Sequence, residues 1–160
     1  MAGRAELPDC EARDVTSLGD LFQEQYTPMV RLARLMTGST EVAEDLVQDT
    51  FVRMHDHWAR AEHPKAYLRA SVVNACRSWH RRRDLERRHR SDAAETATLE
   101  VRELSDALEA LPYRQRAAIV LRYYEDAPEA EIARLLGCRR GTVASLLHRG
   151  LAKLREGIEE

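Results

Sequence analysis

Apolar residues recur every three or four positions along almost the whole of this chain, a period that fits α-helices and not strands. The stripes run through Leu18, Leu21, Phe22 and Tyr26, through Leu46, Val47, Phe51, Met54 and Trp58, and through Val143, Leu147, Leu151 and Leu154. Only seven Gly and five Pro interrupt them, mostly at the joints between stripes. An all-α fold is therefore expected. At 44% hydrophobic and 32% charged the chain can bury a core, and at 6% aromatic that core must be mostly Leu, Val, Ala and Met. The 160 residues suffice for one domain or two very small ones.

The joints can be placed from capping chemistry. Residues 1–15 read as a flexible tail. A first helix starts near Thr16–Ser17, is expected to kink at Pro28 and stops at Gly38. Ser39–Thr40, followed by Glu41, Glu44 and Asp45, starts a second helix with acids at its positive end, and it runs to about Trp58. Pro64 suits the first turn of a third helix, whose apolar positions are Tyr67, Leu68, Val72, Ala75, Cys76 and Trp79 before an Arg-rich tail to about Arg90. Residues 91–103 are small, polar and acidic without periodicity, which marks a linker. The expected architecture is two small helical domains, 16–90 and 104–160, on a flexible acidic tether.

Several classes are disfavoured at once. No run approaches the roughly 18–20 apolar residues of a bilayer span, so membrane insertion is not expected. The first ten residues carry Glu6 and Asp9 and lack an apolar core for a secretory signal. Cys10, Cys76 and Cys138 are odd in number and far apart, so a reducing cytoplasm is the expected setting.

The net charge of −2 conceals a strong segregation. Residues 63–90 hold nine basic and two acidic side chains, and Gly137–Arg155 holds five basic and none acidic. Acidic segments separate the two. Such basic blocks on a nearly neutral chain suit a polyanion. Of the 25 basic residues 23 are Arg, the side chain fitted to phosphate and guanine, although an Arg-rich codon usage would give the same ratio.

The sharpest local pattern is Glu129–Leu147. Ile132, Ala133, Leu136, Gly137 and Val143 fall at helix-turn-helix offsets, with Ala133 small enough for two helices to cross and Gly137 free to take the positive φ of the turn. The second helix, about Arg140–Arg155, turns Arg139, Arg140, Thr142, Ser145, His148, Arg149 and Lys153 outward, a surface suited to a major groove. An ordinary helical hairpin with a solvated basic face is the plainer alternative. The stretch Arg77–Arg90, on the helix that also carries Tyr67, Asn74 and Trp79, interleaves aromatic rings with cations, as a single-stranded nucleic acid site requires. By itself it fits a solvated helix tail equally well. Asp45, Gln48 and Asp49 form an acidic helix face that is bland alone.

In combination these stretches resemble the extracytoplasmic-function (group IV) sigma factors of the sigma-70 family, and an actinobacterial subgroup in wording. GSTEVAEDLVQDTFVRMHDHW (38–58) looks like their region 2.2, HPKAYLRASVVNACRSWHRRR (63–83) like regions 2.3 and 2.4, and residues 111–155, with LPYRQR, LRYYE, EIA and GTV in order, like region 4. The resemblance implies a non-enzymatic RNA polymerase specificity subunit with no cofactor and no metal. Asp45, Gln48, Asp49 and Arg53 would dock on the β′ coiled coil of core polymerase, and region 4 on the β flap. Lys65, Tyr67, Asn74, Arg77, Trp79, Arg81, Arg82 and Arg83 would hold the unpaired −10 strand. Arg139, Arg140, Thr142, Ser145, His148, Arg149 and Lys153 would lie on the −35 duplex. The resemblance leaves open whether an anti-sigma factor binds. Ala144 and Leu146 stand where many relatives carry cations, so two DNA contacts are expected to be missing.

Two other classes compete. A stand-alone helix-turn-helix regulator with an N-terminal sensing domain explains Gly137–Arg155 but not the region 2 wording. An enzyme or metal protein could use His55, His57 and His63 near Asp56, or Cys76 and His80 at i, i+4, but no nucleophile–base pair or phosphate loop accompanies them.

Overall fold

A computed structural model describes residues 17–87 and 102–159. The expected tail and most of the expected linker lie outside the described residues. The elements are α1 (Leu18–Thr37), α2 (Thr40–His57), a single 3-10 turn (Trp58–Arg60), α3 (Pro64–Arg87), α4 (Arg102–Glu109), α5 (Tyr113–Tyr123), α6 (Glu129–Leu136) and α7 (Arg140–Glu159). All regular structure among the described residues is helical.

Local chemistry sets the ends. The Ser17 hydroxyl accepts the Asp20 N–H at 3.1 Å and the Ser39 hydroxyl accepts the Val42 N–H at 3.3 Å, each satisfying an amide that a helix start leaves without a partner. Gly38 ends α1 at φ +80° with its N–H on Arg34 O at 2.7 Å. α1 continues as one helix through Pro28. α2 ends at His57, within one residue of the expected Trp58, which caps it and opens the 3-10 turn, half-buried.

Helices α1, α2 and α3 pack on one another, and α4, α5 and α6 gather around α7 and each other. In the first group Leu21, Leu32, Met36, Val47, Met54, Leu68, Val72 and Val73 are essentially inaccessible, and in the second Leu121, Ile132 and Val143 are. Each such side chain stabilises the fold by about 1.5–3 kcal/mol on burial. Phe51, at 5% exposed, is the aromatic ring that joins the buried core of the described residues. A Cβ on Gly150 would fall 2.8 Å from Ile119 Cδ1 and 3.2 Å from Gln115 Cβ, so α7 crosses α5 where only a bare backbone fits.

The two groups do not stand apart. α1 packs on α4 and α5, α3 packs on α6, and the buried residues of both groups form one continuous cluster.

Candidate nucleic-acid and protein interfaces

The helix-turn-helix is built from α6, the turn at Gly137 and α7. Gly137 adopts φ +62°, and the Cys138 N–H reaches back to Ala133 O at 2.9 Å, closing the turn. Ile132, Leu136, Val143 and Leu147 fill the wedge. Arg139, Arg140, Ser145, His148, Arg149 and Lys153 are exposed, and Thr142 is half-buried. The Ser145 hydroxyl donates to Gly141 O at 3.1 Å and Arg149 Nε to Ser145 O at 3.3 Å, which ties two of these side chains to their own helix. Leu146 is 6% exposed and lines a cleft together with Arg77, His80 and Arg81 of α3. Ala144 is exposed on the outer face of α7.

On α3 the helical period sorts the expected residues into three directions. Tyr67, Asn74 and Arg81, spaced by seven, share one exposed stripe, with Arg82 beside it. Trp79 lies on another flank, half-buried. The Arg83 guanidinium covers its ring at 4.9 Å from the centroid, and the His80 ring meets it edge-on at 4.8 Å. Trp79 is thus already stacked within the chain. Arg77 points a third way, toward α6 and α7, half-buried. Lys65 at the helix start is tied to Glu24 at 2.8 Å.

On α2, Asp45, Gln48, Asp49 and Arg53 are all exposed on one side. Asp49 and Arg53 pair at 2.7 Å, and the Gln48 amide donates to the Tyr26 hydroxyl at 3.2 Å. Beside them runs an apolar groove of about 530 Å³ between α1 and α2, lined by Leu18, Phe22, Phe51 and Val52. Phe22, expected on a buried face, is 42% exposed, and Val52 is 70% exposed. The sequence held the signal for Val52, which falls three residues after Asp49 and seven after Asp45 on the outward stripe.

A second cleft, of about 630 Å³, lies between the two helical groups. Arg77, Arg81, Tyr113, Arg114, Leu146 and Arg149 are among its lining residues. None of its four arginines forms an ion pair among the described residues. The Tyr113 hydroxyl is buried without a partner, and burial pushes its pKa up.

Other titratable groups are committed to packing. Cys76 is buried in the core, which pushes its thiol up to about 12. His80 Nε2 lies 2.7 Å from Met36 O, and since a carbonyl only accepts, Nε2 carries the proton. The i, i+4 spacing of Cys76 and His80 therefore serves a core and a main-chain oxygen. Among the described residues no cluster of three His, Cys, Asp or Glu could hold a metal ion, and no helix is long and apolar enough to cross a membrane.

Comparison with known proteins bears on these surfaces. Residues 21–86 match the family described as Sigma-70 region 2, and residues 101–154 the family described as Sigma-70, region 4. The RNA polymerase sigma-E factor of Streptomyces coelicolor is 32% identical over 155 residues, covering 91% of this chain and 88% of that protein. The ECF RNA polymerase sigma factor SigM of Mycobacterium tuberculosis is 33% identical over 175 residues, covering 95% and 85%. Among solved structures, the sigma factor RpoE of Bartonella quintana, in complex with the anti-sigma factor NepR, superposes with a TM-score of 0.71 at 26% identity, covering 88% of this chain and 97% of that one. CnrH, in complex with the cytosolic domain of CnrY, shares the fold with a TM-score of 0.64 at 23% identity.

Proposed function

Because this chain belongs to the sigma-70 family, among its extracytoplasmic-function RNA polymerase sigma factors, we propose how its own surfaces divide the work of promoter-specific initiation. Residues 16–90 act as region 2 and residues 104–160 as region 4. The acidic face of α2, Asp45, Gln48, Asp49 and Arg53, docks on core polymerase, with the Phe22–Val52 groove as its apolar centre. Charged rims around an apolar centre are the ordinary anatomy of such an interface.

The stripe Tyr67, Asn74 and Arg81 receives the unpaired −10 strand. Rings and amides read bases that have left the stack, while Lys65, Arg77, Arg82 and Arg83 hold backbone phosphates. Trp79 joins only after Arg83 moves off its ring. Helix α7 lies in the −35 major groove, Thr142 and Ser145 near base edges and Arg139, Arg140, His148, Arg149 and Lys153 toward phosphates. The polymerase makes the phosphodiester bonds, and this subunit supplies no reacting group. Its working place is the cytoplasm, where polymerase and promoter meet. The complex of RpoE with NepR supports an anti-sigma partner for this chain as well.

The observation that carries this reading is the outer face of α7, with six exposed polar or cationic side chains between Arg139 and Lys153 and no acid from Gly137 to Arg155. Run-off transcription with core polymerase on a pool of genomic promoter fragments tests it. Discrete transcripts that depend on the chain are expected, and their absence, with tight duplex binding by the chain alone, would favour a stand-alone regulator.

A further inference from the structure

We infer that the arginine-lined cleft is a binding site for a nucleoside di- or triphosphate, with Arg77, Arg81, Arg114 and Arg149 on its phosphates and Gln115 on its base.

The cleft has the size and the charge for such a ligand. Its volume of about 630 Å³ falls within the roughly 300–1,000 Å³ of small-molecule sites. Three helices bring cations to it: Arg77 and Arg81 from α3, Arg114 from the first turn of α5, and Arg149 from α7. Asp84 is the sole acid among its lining residues, so the wall keeps a positive excess suited to a chain of phosphates. Arg149 spends only Nε within the chain, on Ser145 O, and the side chains of Arg77, Arg81 and Arg114 have no hydrogen-bond or ion-pair partner among the described residues. A guanidinium fork fits phosphate oxygens two at a time.

Two buried polar atoms ask for more than phosphate. Gln115 is 8% exposed, with Oε1 buried and without a partner, and the Tyr113 hydroxyl is buried without one as well. Both residues line the cleft. Such groups cost stability until something pairs them. An acceptor such as Oε1 repels phosphate oxygens and takes an N–H, which a nucleobase carries. Leu136, Leu146 and the Tyr113 ring add the apolar surface that a base plane can cover. The promoter reading assigns nothing to Arg114, Tyr113 or Gln115. It does assign Arg77, Arg81 and Arg149, so a bound nucleotide and a promoter draw on the same cations; that consequence, unlike the site itself, rests on the promoter reading.

Isothermal titration calorimetry of the full chain with ATP, GTP and inorganic tripolyphosphate, at fixed ionic strength and without divalent metal, tests the site with no DNA or polymerase present. ATP or GTP is expected to bind at least tenfold more tightly than tripolyphosphate, although tripolyphosphate carries the greater charge. Arg114→Gln should weaken nucleotide binding about tenfold. Arg31→Gln, which removes an exposed arginine of α1 outside the cleft, should leave it unchanged. Asp84→Asn should tighten it severalfold, a gain that a damaged fold would not give. Gln115→Met should abolish the preference over tripolyphosphate. If that variant loses its helical circular dichroism, the wild-type comparison decides the base contact alone. Tripolyphosphate bound as tightly as both nucleotides would overturn a nucleotide as the ligand. Equal losses from Arg114→Gln and Arg31→Gln, or no binding of any probe at millimolar concentration, would overturn the site. On a promoter recovered by run-off transcription, nucleotide at its wild-type half-saturating concentration should weaken duplex binding by the wild type more than by Arg114→Gln. Undiminished duplex binding, with the titrations intact, would count against the promoter roles of the shared arginines and not against the site.

Discussion

His80 engages three neighbours with one ring: Met36 O through Nε2–H, Tyr113 by stacking and Trp79 edge-on. Burial holds its pKa below the ordinary 6.5, outweighing the bond to Met36 O that favours the charged form. A histidine depressed in this way takes its proton later in the folded than in the unfolded chain, so acidification through and below pH 6.5 costs stability. Glu125 works in the opposite sense. Burial raises it above 4.5 despite Arg69, so in the window just above 4.5 the folded chain takes up its proton first and gains stability. Thermal melts are expected to show a falling Tm from pH 7 toward 5.5, and His80→Gln should start lower but show a flatter slope. An unchanged slope would mean that another group carries the loss. Asn74 and Trp79, one exposed and one covered by Arg83, should separate in the same spirit. Asn74→Ala is expected to cut transcription from closed promoters about tenfold, the loss of a base contact worth about 1–2 kcal/mol, and to leave templates pre-melted at −10 nearly unaffected. Trp79→Ala should impair both templates, because its ring is part of the packing around His80.

At the scale of the helix, the ends were legible and the neighbours were not. Ser17, Gly38, Ser39, Pro64 and Gly137 mark their joints because a cap is a contract among residues three or four apart. A period of 3.6 says which side of a helix is covered but not by what. Leu146 shows the difference, since it lines a cleft with residues of α3, far away in sequence. Phe22 shows the converse, an apolar position on the expected stripe that stays 42% exposed although its ring meets Phe51 of α2 edge-on at 5.0 Å. The acidic side of α2 was readable, and its apolar centre emerged only when α1 was laid against it. On that element, Asp45→Arg with Asp49→Arg removes only one exposed i, i+4 pair, worth a few tenths of a kcal/mol, so the fold should lose less than about 1 kcal/mol. Affinity for core polymerase should fall tenfold or more in a quantitative pull-down. Retained affinity would remove this face from the docking surface.

Across the whole molecule, the charge blocks run parallel to the grouping of α1–α3 and of α4–α7, whereas the packing of one group on the other leaves no such mark in the sequence. Its ties run from Arg116 to a main-chain oxygen 80 residues away and from Arg69 to two acids, and neither pattern differs in sequence from a solvated surface. Docking also gathers Arg77, Arg81, Arg114 and Arg149 around one cleft with Asp84 as the sole acid lining it. Like charges so placed favour a polyanion, and each phosphate they neutralise adds roughly 0.9 to the slope of log affinity against log salt. Arg149, on the proposed −35 face, is the clearest single case. Fluorescence anisotropy on a promoter duplex across a salt series is expected to give Arg149→Gln a shallower slope than the wild type by about one, with little change in preferred sequence. An unchanged slope would mean that Arg149 meets no phosphate and that its bond to Ser145 O is kept on DNA.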